Sequence, residues 1–111
     1  MSAKRSIDGA LAAGPCMFEI GITSHPVNRW PSYEADGWHT MFLLRASGHA
    51  GFIATMECDL IAHYQGSRGC QNVSRGGDGR MQSFAAPYFL YVVIFNADRF
   101  GLLGRKRPRR A

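Results

Sequence analysis

At 111 residues, with 46% hydrophobic content and 19% charged residues, the chain is sized for one domain with a modest core. No uninterrupted apolar run approaches the length of a membrane span, so a spanning helix is excluded and a soluble protein is expected. The net charge of +5 is uneven: five of the 13 basic residues (Arg105, Lys106, Arg107, Arg109, Arg110) lie in the last seven positions, which leaves eight basic against eight acidic residues in the body. Basicity is thus a property of a tail. Such a tail suits nucleic acid, a nuclear address or a solvated end.

Three cysteines, Cys16, Cys58 and Cys70, are too few and too scattered for a disulfide framework. They contain no Cys-x-x-Cys pair, and the expectation is an intracellular protein with buried thiols.

Residues 1–15 are small, polar and glycine-containing, and are expected to be poorly ordered. Their apolar stretch is broken by Asp8 and Gly9, unlike the core of a signal peptide. Residues 16–23 are β-prone. Ser24 offers an N-cap and Pro26 a first-turn proline, opening a helix that Pro31 is expected to stop near Trp30. Asp36-Gly37 predicts a turn. A second strand is expected over 38–46, around Met41-Phe42-Leu43-Leu44.

The clearest helix is predicted over 50–64. At 100° per residue its broad apolar face collects Phe52, Ile53, Met56, Leu60, Ile61 and Tyr64. Glu57 lies between Ile53 and Ile61, each one turn away. A carboxylate on that stripe needs a partner, a metal ion or a rim position; Asp59 falls further round, as a solvated charge.

Residues 66–79 hold five glycines together with Arg68 and Arg75. This composition fits a surface connection, or a loop whose amides approach phosphate; the spacing is not that of a P-loop. Pro87 then introduces Tyr88-Phe89-Leu90-Tyr91-Val92-Val93-Ile94-Phe95, the strongest strand in the chain. Its unbroken apolar character predicts a central position or burial on both faces. One helical turn is expected around Arg99 and Phe100.

Together, Glu19-Ile20-Gly21 at the end of a strand, Arg29 on the helix after it, Tyr33 one turn beyond, Glu57 in Glu-x-x-Leu-Ile, and Asn72 ahead of Gly76-Gly77-Asp78-Gly79 resemble the GIY-YIG nuclease superfamily. The resemblance covers roughly residues 16–79. It implies an α+β domain at 16–103, a small, mainly antiparallel three-stranded sheet flanked by helices, followed by a basic tail at 104–111.

It also implies a nucleic-acid-directed function, with DNA as partner and hydrolysis of phosphodiester bonds as the reaction. In that family a helix arginine is essential, a glutamate binds one divalent ion, and a loop asparagine shapes the site. Carried over, Arg29, Glu57 and Tyr33 are the catalytic residues, Glu57 is the ligand of Mg²⁺ or Mn²⁺, and Asn72, Arg68 and Arg75 contact nucleic acid. A binding module without catalysis and a small structural protein retaining only the fold are the alternatives.

Two departures stand out. Glu19 occupies the place of the tyrosine in Tyr-Ile-Gly, and the first Gly-Ile-Tyr strand is not recognisable. The strand at 88–95 is therefore expected to fill that place beside 16–23, pointing Tyr88 or Tyr91 toward Arg29 and Glu57. Tyr33, Glu19, His25, His39 and Tyr64 are further candidates for the group that activates water.

Overall fold

An apolar strand with no polar alternation needs cover on both faces, and the computed structural model gives the last such segment that environment. The structure describes residues 3–12, 16–67, 69–72 and 86–96. Within them the order is α1 (Ala3–Ala12), β1 (Cys16–Thr23), α2 (Pro26–Ala35), β2 (Thr40–Ser47), α3 (Ala50–Tyr64) and β3 (Tyr88–Asn96). The strands form one antiparallel sheet in the order β1-β3-β2. This is a small α+β fold, and β3 lies at its centre, beside 16–23 as expected.

Alternation along the strands divides the core into two layers. Phe18, Ile20, Ile22, Leu90, Val92 and Ile94 face one side, where Ile53, Leu60, Ile61 and Tyr64 of α3 and Ile7 of α1 close over them. Met17, Tyr91, Val93 and Phe95 face the other, against Tyr33 of α2 and Trp38. The helices α3 and α2 therefore occupy opposite faces of the sheet.

Segment 69–72 lengthens the sheet at the outer edge of β1. Phe18 N–H donates to the Gly69 carbonyl at 2.9 Å, and Gln71 N–H donates to the Phe18 carbonyl at 2.8 Å, a parallel bridge centred on Cys70. At the opposite edge the register of β2 shifts between Leu43 and Arg45, where a bulge interrupts the ladder.

Several expectations are corrected. Residues 3–12 are an ordered helix rather than a loose end: Ile7 is fully buried, and the Tyr64 hydroxyl donates to Asp8 Oδ1 at 2.5 Å and reaches the Lys4 carbonyl at 3.1 Å. Pro31 does not stop α2, which runs four residues past it. The carbonyl that loses its donor to Pro31 belongs to Val27, a residue 83% exposed in the first turn of α2. His25, not Ser24, is the N-cap residue, and its side chain makes no cap bond. The Asp36-Gly37 turn is present, with Gly37 at φ +98°.

The bounds of α3 match the expectation, but its apolar face is narrower: Phe52 is largely exposed and Cys58 is an exposed thiol rather than a buried one. Both point away because the stripe that meets the sheet is centred on Ile53, Glu57, Leu60 and Ile61.

Candidate functional site

The site grows from a glycine and a tyrosine on neighbouring strands. Register sets Gly21 of β1 directly opposite Tyr91 of β3, on the face that α2 covers. With no side chain at 21, the Tyr91 ring lies across the β1 backbone. Its hydroxyl then shares a 2.7 Å hydrogen bond with the hydroxyl of Tyr33 and accepts a long one, 3.4 Å, from Nε of Arg29. Arg29 and Tyr33 meet the same tyrosine because residues four apart share a helix face. The Tyr33 ring sits edge-on to Tyr91 (centroids 5.7 Å apart, 72° between planes) and to Trp38 (6.1 Å, 89°), and so is fixed on two sides.

Burial and charge act in opposite senses on the two partners of Tyr91. Burial pushes the Tyr33 phenol far above the ordinary tyrosine range, and the Tyr91 and Glu19 charges and the shared hydrogen bond push the same way, against Arg29. Tyr33 therefore stays protonated at any working pH. Burial alone would lower the Arg29 pKa, but hydrogen bonding and electrostatic attraction to the hydroxyl oxygens of Tyr91 and Tyr33 outweigh it and hold the guanidinium above its usual value. A permanent cation is thus anchored through Nε, with Tyr91 and Tyr33 only 1% and 3% exposed beneath it. Besides Tyr91 and Tyr33, no protein group among the described residues bonds the planar fork of Arg29.

Glu19 lies on the same face two residues before Gly21, is 3% exposed and is felt electrostatically by Tyr33. It joins the cluster at the position where the family resemblance expects a tyrosine. Of the two aromatic candidates from the last strand, Tyr91 reaches Arg29, whereas Tyr88 faces the α3 layer. His25 is exposed, and His39 stacks on Phe95 at 4.6 Å.

Asn72 is close by but occupied differently. Its Oδ1 accepts from Ile20 N–H and its Nδ2 donates to the Ile20 carbonyl, both at 2.9 Å. The side chain imitates a neighbouring strand and pins segment 69–72 to β1, one residue from Gly21. That is a positioning task.

Glu57 is 4% exposed and engages other groups of the protein, within the stripe of α3 that meets the sheet. It comes from the layer opposite α2. The bonded cluster thus unites Arg29, Tyr33 and Tyr91, with Asn72 holding the adjacent edge, while Glu57 belongs to α3 on the opposite face of the sheet and makes no contact with the cluster among the bonds described. Arg68, Arg75, the turn at Arg99 and Phe100, and the tail at 104–111 lie outside the described residues.

The clearance at Gly21 could have been read from the chain: a glycine inside an apolar strand marks a close approach by another group. What the arrangement can do chemically is hold an anion on an arginine anchored above two buried tyrosine rings. No helix among the described residues is long and apolar enough to cross a membrane. No protein-family model matches the chain, and neither does any curated protein or solved structure.

Proposed function

We propose that this chain is a nucleic-acid-directed domain of the GIY-YIG type that hydrolyses phosphodiester bonds, with Tyr91 standing in for the tyrosine of the absent first strand. The observation that carries the reading is the meeting of Tyr91 with Arg29 and Tyr33 above Gly21. A tyrosine from the end of the chain completes a cluster whose other members come from the segment that resembles the family. In this reading Arg29 places its fork on the phosphate oxygens, where charge grows during attack by water.

Glu57 supplies the hard oxygen donor that Mg²⁺ or Mn²⁺ prefers. In this reading Glu57, 4% exposed within α3, is the one carboxylate assigned to the ion; no group of three or more His, Cys, Asp and Glu side chains gathers among the described residues. The bound ion would neutralise phosphate charge and ease departure of the leaving oxygen.

The test is a Mg²⁺- or Mn²⁺-dependent nicking assay on varied DNA substrates, with Arg29→Ala and Glu57→Ala alongside. Metal-dependent cleavage lost in both variants is expected. Cleavage that persists in Glu57→Ala would remove the metal assignment, and cleavage that persists in Arg29→Ala would overturn the site.

Deep burial of both phenols favours a second reading, binding without cleavage. Its signature is salt-sensitive DNA binding that survives deletion of residues 105–110 and is not accompanied by nicking.

A further inference from the structure

Most aromatic side chains of the described residues are buried, but two phenylalanines are not. Phe42 on β2 is 48% exposed and Phe52, in the first turn of α3, is 45% exposed. The guanidinium of Arg45 lies over the Phe52 ring, 5.2 Å from its centroid.

The bulge in β2 creates this grouping. Phe42 stands opposite Val92 and Arg45 opposite Leu90, and both partners belong to the layer that α3 covers. In a regular strand, residues three apart face opposite ways. The extra residue at Leu44 turns Arg45 to the same side as Phe42, and Leu44 itself packs into the core on that side. A bulge that re-aims a charged side chain onto a surface ring is the kind of feature that serves recognition. The first turn of α3, which carries Phe52, contains no acidic residue.

We propose that Phe42, Arg45 and Phe52 form a stacking platform for unpaired bases of a single nucleic-acid strand, separate from the Arg29 cluster. The proposal rests on the nucleic-acid-directed reading and extends it from backbone to bases. Phe42 offers a flat apolar ring to a base of any identity, and the planar guanidinium of Arg45, already stacked over the Phe52 ring, extends that platform for a second base and meets the phosphate beside it. The platform belongs to the α3 face of the sheet and the Arg29 cluster to the α2 face. A strand crossing the β2 edge would meet the platform with its bases.

The test compares binding of a labelled oligo(dT) with that of an abasic deoxyribose-phosphate strand of equal length by fluorescence anisotropy, using the full chain. The wild type is expected to bind oligo(dT) more tightly. Phe52→Leu keeps an apolar side chain on an exposed site but removes the ring, and should weaken oligo(dT) binding by about tenfold while leaving the abasic strand unchanged. Arg45→Lys keeps the charge but loses the planar stack, and should move in the same direction.

Equal binding of both strands by the wild type would overturn the platform and leave the backbone-directed reading standing. Binding of neither strand would overturn both. Self-association of the wild type that is lost in Phe42→Ala would overturn the platform by making the patch an interface between copies. Arg29→Ala should lower binding of both strands alike, which separates failure of the cluster from failure of the platform.

Discussion

A Cβ placed on Gly21 would stand 2.5 Å from Cζ and 2.9 Å from Cε1 of Tyr91. The glycine and the phenol therefore occupy what would otherwise be one space. Gly21→Ala must displace a 1%-exposed tyrosine held at its hydroxyl by two partners. We expect a loss of about 1–3 kcal/mol in chemical unfolding, and weaker binding of DNA because Arg29 loses its anchor.

Tyr91→Phe keeps the ring over Gly21 but removes the acceptor for Arg29 Nε and the partner of the Tyr33 hydroxyl. Leaving a buried hydroxyl unpaired costs about 1–3 kcal/mol. Under the proposed function the same variant also loses cleavage. Tyr33→Phe should destabilise similarly and leave Arg29 bonded to Tyr91. Unfolding midpoints together with nicking rates for the two variants check this.

Asn72→Ala removes both bonds to Ile20 and strands a buried N–H and carbonyl, for a loss of roughly 2–4 kcal/mol. Asn72→Asp keeps the acceptor but cannot donate to the Ile20 carbonyl, so an intermediate loss is expected. Amide hydrogen exchange at Ile20 and Gln71 should quicken in both variants, while exchange within α2 is unchanged.

Alkaline pH tests the two buried phenols. Tyr33 is raised chiefly by burial, and Tyr64 is raised by burial with Asp8 adding to it. A phenol whose folded pKa lies above its unfolded value contributes nothing pH-dependent below the unfolded value and loses stability as pH rises past it. Their contribution is therefore constant through neutrality and falls from about pH 10 upward. In Tyr33→Phe the alkaline fall should be shallower, as read from unfolding midpoints between neutral and strongly basic pH.

Much of this was legible in the chain wherever one pattern dominates its surroundings. The periodicity of residues 50–64 and the unbroken apolar run at 88–95 identify α3 and the central strand, and the four-residue spacing of Arg29 and Tyr33 puts them on one helix face. Pairing of the last strand beside 16–23, expected from the lack of any other first strand, brings Tyr91 to Arg29. Other features depend on tertiary partners that local sequence does not display. Helix α1 reads as a loose end because Ile7 and Asp8 gain meaning only against the core and Tyr64. Pro31 reads as a stop, whereas α2 continues through it to Ala35. The turning of Arg45 is set by a hydrogen-bond register, which no spacing in β2 encodes.

Neither outer strand of the sheet bonds to the other; each has its ladder with β3, and β1 adds only the single bridge to Cys70. A nascent chain emerging from the ribosome therefore carries both flanking strands, the three described helices and the arginine of the cluster before their central strand is made. Formation of the sheet and delivery of Tyr91 coincide in the synthesis of one nine-residue segment. Truncation upstream of it would abolish the architecture and its chemistry at a single stroke.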